Sequence, residues 1–278
     1  MKVLVTGISG FLGEAIAELL PVQHELIGVG GKSRKGFFQK YYASEIDVLN
    51  DEPDLIVMTH GAVVSGSDNI SMNELREANV EFTRSILKRF PNTPCIYTST
   101  VSVFKVNESA IFENSEVDPT TEYALTKLEA EGLIDSHPNS TVVRLSSLFG
   151  PGMRENTILP VLVNQAIEQN EMTVYGNGNR TQNYIHVRDA AGLILKLIDE
   201  KGSWMSLYLG TYINEFSNNE IAEIISNLTG ATIRYIGTDN SASFRYDNSR
   251  SRTQINWSPS ISVEEGLKEY IEWKKRQY

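Results

Sequence analysis

The stretch Thr6-Gly7-Ile8-Ser9-Gly10-Phe11-Leu12-Gly13, directly after the apolar run Val3-Leu4-Val5, constrains this chain more than any other feature. Glycines three apart at a strand-to-helix junction each have a physical task. Gly7 permits a sharp turn, Gly10 lets backbone approach a bound group, and Gly13 lets the helix pack closely on the strand. The helix that begins here presents free N–H groups and the positive end of its dipole, which suits a dinucleotide pyrophosphate.

The rest of the first half repeats that rhythm. Leu26-Ile27-Gly28-Val29, Leu55-Ile56-Val57-Met58, Ile96-Tyr97 and Thr141-Val142-Val143 are apolar without polar alternation, as strands covered on both faces are. Helical segments are expected at roughly 11–20, 72–89 and 121–136, the second opening on a Ser71/Glu74 capping box. The alternation predicts an α/β fold, a doubly wound parallel sheet. Beyond about residue 150, short strands near 206–209 and 231–235 lie among helices that start at the capping boxes Ser217/Glu220 and Ser262/Glu265. This part is expected to form a smaller α/β lid over the sheet's carboxyl edge, where ligands bind.

Several function classes are disfavoured. A formal charge of −10 without a basic cluster argues against nucleic acid. No apolar run spans a bilayer and the N-terminus is unlike a signal peptide, so a cytoplasmic protein without membrane partners is expected. The single Cys95 lies in an apolar stretch and reads as a small buried hydrophobe. His24, His60, His137 and His186 lack ligand spacing, so no metal site is expected. Gly-x-Ser-x-Gly is absent, which removes a serine hydrolase. Glu113 reads as a solvated loop charge.

Tyr123 and Lys127 stand four apart in a helical stretch and so share a face. A tyrosine hydroxyl near pKa ~10 needs a neighbouring ammonium to move protons at neutral pH. Thr98-Ser99-Thr100 follows a strand at the edge where a cofactor would end.

In this order along the chain, these motifs resemble the extended short-chain dehydrogenase/reductase family, with its nucleotide-sugar epimerases, dehydratases and reductases. The likeness continues through Asp47-Val48, Thr59-His60-Gly61-Ala62, Asn79-x-x-x-Thr83, Leu148-Phe149-Gly150-Pro151 and Tyr184-Ile185-His186-Val187-Arg188-Asp189. It implies a Rossmann domain over 1–150 that carries the catalytic residues. Residues 151–278 would then be mainly substrate-binding, partly returning to the sheet. Thr100, Tyr123 and Lys127 would be catalytic, Tyr123 as general acid/base and Lys127 also on the nicotinamide ribose. Cofactor contacts would come from Gly7, Ser9, Gly10, Phe11, Leu12, Gly13, Lys32, Ser33, Arg34, Asp47, Val48, His60, Gly61, Ala62, Asn79 and Lys127. Asn156, Arg180, Gln182 and Arg245 would meet the substrate. A homodimer through the helices at 72–89 and 121–136 is implied as well.

Departures from the family pattern shape the rest. Gly30-Gly31-Lys32-Ser33-Arg34 replaces the acid that NAD enzymes place after the second strand, so NADP(H) is favoured over NAD(H). Gln182 stands where an arginine is usual, with Arg180 two residues before it. No second diphosphate arginine is evident beyond Arg245, and Ser147 replaces an asparagine. Val101-Ser102 occupies the place of a dehydratase Asp-Glu pair. The expectation is an NAD(P)-dependent oxidoreductase or epimerase on a sugar, nucleotide-linked by resemblance, leaning to a 4-keto-sugar reductase. A nucleotide-sugar 4-epimerase and a non-catalytic dinucleotide-binding regulator are the alternatives.

Overall fold

The computed structural model describes residues 1–30, 40–42, 50, 52–64, 69–106, 110–200 and 207–277. The N-terminal run forms β1 (Lys2–Thr6), and the glycine turn leads into α1 (Phe11–Leu19) and then β2 (Glu25–Val29). After β3 (Lys40–Tyr42) and β4 (Leu55–Met58) the chain enters α2 (Met72–Arg76). A π-helical turn over Glu77–Glu81 passes it to α3 (Phe82–Arg89). Then follow β5 (Cys95–Thr100), α4 (Glu122–Asp135) and β6 (Ser140–Leu145).

The second half continues with β7 (Ser147–Phe149), α5 (Ile158–Gln169), β8 (Glu171–Tyr175), β9 (Thr181–Gln182), β10 (Tyr184–His186) and α6 (Val187–Asp199). It ends with β11 (Leu207–Gly210), β12 (Phe216–Ser217), α7 (Asn218–Thr229), β13 (Thr232–Ile236), α8 (Ser249–Gln254) and α9 (Val263–Lys275). Each of the three capping boxes read from the sequence is formed, at the starts of α2, α7 and α9.

The main sheet has seven strands in the order β11-β6-β5-β4-β1-β2-β3, and every pairing in it is parallel. Strand order reverses at β1, between β2 on one side and β4 on the other, so a crevice opens at their carboxyl ends. Alternation along β1 sorts the two cores. Val3 and Val5 face α1 and α6, while Leu4 joins Ile86 of α3 and Ala130 and Ile134 of α4 on the other side.

Chain order and core membership part company after residue 150. Helix α6 packs in the same core as α1, and β11 closes the far edge of the sheet beside β6. Helices α5, α7 and α9 form a second core with β8, and Phe11 touches both cores at the glycine turn.

Candidate functional site

The glycine turn lies at the reversal point of the sheet. Gly7 has φ +70°, a conformation that side chains strain to adopt, and it leads the chain from β1 into the loop. A β-carbon on Gly13 would lie 2.3 Å from the Gly7 carbonyl oxygen, so only glycine lets α1 sit this close to the loop. The Gly10 N–H donates to Gly7 O at 2.8 Å, and no side chain caps the start of α1. Gly10, Phe11 and Leu12 therefore bring an uncapped helix N-terminus to the cleft, and these residues fit a diphosphate. Ser9 belongs to the same turn, half-buried. Lys32, Ser33, Arg34, Asp47 and Val48 lie outside the described residues.

His60 and Asn79 stand behind this crevice. The His60 ring is bonded on both nitrogens, to the Thr6 hydroxyl at 2.6 Å and the Thr83 hydroxyl at 2.9 Å. Burial, and then the charge on Lys127, push its pKa down to about 3, so the ring is neutral at physiological pH. Asn79 is fully buried in the π-helical turn. Its carboxamide accepts from Ala62 N at 2.8 Å and donates to Ala62 O at 3.1 Å and to the Thr126 hydroxyl at 2.9 Å. It thus fixes the Gly61-Ala62 turn against α4. The sequence expectation makes Asn79 a cofactor contact; in the structure it does not line the cleft, and its carboxamide bonds the wall formed by Ala62 and Thr126.

Thr100 ends β5, and its hydroxyl caps the 3₁₀ turn Val101–Val103 by accepting from Ser102 N at 3.1 Å. The same hydroxyl donates to Ser102 Oγ at 3.1 Å, and its proximity to the Tyr123 phenol counters the burial that pushes Tyr123 up to about 12. Tyr123 lies in the first turn of α4, whose N-cap Thr121 accepts from Ala124 N. Lys127, one turn further, is buried, and its ammonium lies 4.2 Å from the centre of the Tyr97 ring. Burial lowers its pKa to about 7, with Glu131 acting in the opposite direction. The sequence reading gives Lys127 the task of lowering the Tyr123 pKa. In the structure Lys127 lies one turn after Tyr123 on the same helix, with its ammonium over the face of Tyr97.

Gly10, Phe11, Leu12, His60, Thr100, Tyr123 and Lys127 line one cleft of about 1060 Å³, at the upper end of small-molecule pockets. Among the described residues its cationic lining is Lys127, Arg154 and Arg180, and its acidic lining is Glu122. Arg180 and Gln182 reach the cleft, each loosely tied at 3.4 Å, to Ala242 O and the Asn218 side chain respectively. Asn156 is half-buried and does not line the cleft, although its neighbours Arg154 and Thr157 do.

Arg245 does not reach the cleft either. In the extended segment Phe244-Arg245-Tyr246 the two rings line it, stacked 6.3 Å apart, and Arg245 between them is exposed. The sequence reading missed this aromatic pair, yet alternation in an extended strand was the available signal. Glu113 also differs from expectation. It is buried, and accepts from Ser251 N at 3.1 Å and Ser251 Oγ at 2.6 Å, which ties its loop to α8.

The remaining sequence readings concern the whole molecule. Among the described residues no group of side chains could hold a metal ion, and no helix is long and apolar enough to cross a membrane. Cys95 is buried, with burial pushing its thiol up to about 11.

A glycine turn at the switch point, with a Tyr-Lys helix and a hydroxyl-rich strand end in the same cleft, defines an extended short-chain dehydrogenase/reductase. Residues 3–204 match the NAD dependent epimerase/dehydratase family, and the chain belongs to it. It is a nicotinamide-dinucleotide-binding enzyme of that type.

A UDP-glucuronate 4-epimerase of Thermodesulfobacterium geofontis is 26% identical over 98% of this chain and 95% of its own length. A UDP-N-acetyl-alpha-D-glucosaminuronate decarboxylase of Bacillus cytotoxicus is 24% identical over 98% of this chain and 97% of its own. The crystal structure of the UDP-glucuronic acid 4-epimerase of Bacillus cereus, with UDP-glucuronic acid and NAD, superposes over all of both chains. Its TM-score is 0.87 at 20% identity, a likeness of fold.

Proposed function

We propose that this protein interconverts two nucleotide-linked sugars that differ at C4, with a UDP-uronate as the leading substrate and NAD as the cofactor. The observation that carries the reading is the meeting of Thr100, Tyr123 and Lys127 in one cleft with the uncapped start of α1. A nicotinamide dinucleotide bound there supplies hydride acceptor and donor capacity beside the sugar carbon. Tyr123 takes the proton of the sugar hydroxyl and returns it. Thr100 holds the reacting oxygen toward Tyr123, and Lys127 supplies positive charge at the base of the pair. Among the described lining residues three cations stand against one acid, in a chain of net charge −10, which favours an anionic substrate.

The relatives move the reading from reductase to epimerase, because a match spanning nearly the whole of both chains is a UDP-glucuronate 4-epimerase. They also move the cofactor from NADP(H) to NAD, which the solved epimerase holds. Lys32 and Arg34, which carried the NADP(H) expectation, lie outside the described residues. The division at residue 150 and a homodimer through α2–α3 and α4 stay proposals, and light scattering tests the second.

The deciding experiment supplies UDP-glucuronate and NAD without NADPH and follows the sugar by NMR. The C4 epimer should accumulate to equilibrium with no net NADH. Stoichiometric consumption of NADPH by a 4-keto sugar would restore the reductase. Tight NAD binding without turnover of any nucleotide sugar would point to the regulator.

A further inference from the structure

Lys127 has an unusual environment for a buried cation. Among the described residues its ammonium makes no hydrogen bond and no ion pair, and its close partner is the face of Tyr97 at 4.2 Å. Tyr97 lies on β5, fully buried, three residues before Thr100. Its phenol oxygen is buried without a hydrogen-bond partner, so the hydroxyl costs solvation and returns nothing visible. The ring face is the part of this side chain that meets functional machinery. A desolvated ammonium over an aromatic face is stabilised by the ring quadrupole.

We infer that Tyr97 is a positioning residue of this site, whose ring face seats the Lys127 ammonium in its charged form at the floor of the cleft. The inference rests on the reading of Tyr123 and Lys127 as the proton-transfer pair.

The groups around Lys127 agree with this role. From its own helix, Glu131 lies one turn on, held by Arg144 of β6 through two bonds of 3.1 and 2.7 Å. Arg144 in turn lies 4.5 Å from the centre of the Phe104 ring. Glu131 therefore adds negative potential near Lys127 while its own oxygens are anchored elsewhere. From the turn after β4, His60 faces the same space, neutral and bonded to Thr6 and Thr83. From β5, Tyr97 stays a neutral phenol because burial, and then Tyr123 and Glu131, raise its pKa. Tyr123 itself is a neutral phenol, because burial raises its pKa against the smaller opposing effect of Thr100. The ring face and one displaced carboxylate are thus what favour the charged form, against desolvation.

The test measures the Lys127 ammonium without turnover, by trace labelling of the full chain with acetic anhydride across pH and peptide mass spectrometry. Tyr97→Leu and Tyr97→Met should each lower the Lys127 pKa by about one unit. Turnover of UDP-glucuronate should lose its alkaline limb at correspondingly lower pH. Tyr97→Phe, which keeps the ring, should restore both to the wild-type position and leave the fold at least as stable. If Tyr97→Leu does not fold, Tyr97→Met decides. An unchanged Lys127 titration in a folded ring-less variant, or a Tyr97→Phe that behaves like Tyr97→Leu, overturns the seat. If the titration moves as expected but Tyr123→Phe still turns over normally, the seat stands and the proton-transfer reading fails.

Discussion

Around the β5–α4 end of the cleft, Lys127, His60 and Asn79 are buried, and each is held by a partner on another element, Tyr97, Thr83 and Thr126 respectively. At the opposite end Arg180 and Gln182 are half-buried with side-chain bonds of 3.4 Å, and Arg245 lies exposed outside the cleft. The first end is built as a fixed frame, as catalysis by orientation and preorganised charge requires. The second has side chains free to adjust to a ligand. Mutations should therefore cost rate or stability at one end and affinity at the other.

The largest expected effect is at the first end. Tyr123→Phe keeps the ring and removes the proton carrier, so turnover should fall by about 10²–10⁴-fold. Affinity for NAD should stay within about twofold, since the packing is unchanged. Steady-state rates and a fluorescence titration check both. Comparable losses in rate and NAD affinity would mean that Tyr123 holds the cofactor instead.

Gly13→Ala should lower stability by about 1–3 kcal/mol, because its β-carbon meets Gly7 O at 2.3 Å and the loop must shift. NAD affinity should drop with it, read from the same titration alongside a urea midpoint. A variant as stable as wild type with unchanged NAD binding would remove the close approach from the account of the cradle.

His60 sharpens the contrast through pH. Its pKa falls from 6.5 to about 3 on folding, so between those values the unfolded chain binds a proton that the native protein refuses. The stability this neutral ring contributes is fully present above about pH 6.5 and declines as pH falls toward 3. The slope is about 1.4 kcal/mol per unit. Urea unfolding at pH 7.5, 6 and 5 should therefore show a steeper acid loss in wild type than in His60→Gln. Parallel slopes would place the proton elsewhere.

The smallest effects belong to the substrate end. Arg180→Ala should raise KM for a UDP-sugar by about tenfold with kcat nearly kept, as loss of one charged contact does. Arg245→Ala should change KM less than about twofold, because that side chain points away from the cleft. Equal effects from the two would break the assignment of Arg180 to the site.

The parts of the site that were legible beforehand are those with local signals. The Gly7/Gly10/Gly13 spacing, the Tyr123/Lys127 helix face and the Thr98-Ser99-Thr100 strand end each occupy fewer than ten consecutive residues. The Ser71, Ser217 and Ser262 capping boxes are local too, and all three formed. The misses were contacts between distant segments. Glu113 meets Ser251 across 138 residues, and nothing near Glu113 in the chain announces that partner. Arg245 was put in the site by its charge, while the alternation that turns Phe244 and Tyr246 inward was the better guide.

By itself the sequence determined the alternating strands and helices, the helix starts, the turn that can hold a dinucleotide and the residue types able to move a proton. Backbone propensity, periodicity and capping act within a few residues, so they are readable without knowing what lies across the molecule. Only the tertiary structure decided that Asn79 braces the Ala62 turn and that Lys127 rests on Tyr97 with Glu131 held off by Arg144. Which of the described cations reach the cleft was settled at that level too. Burial and electrostatics depend on neighbours brought together by packing, and a lysine's charge or a histidine's neutrality exists only once those neighbours have displaced water.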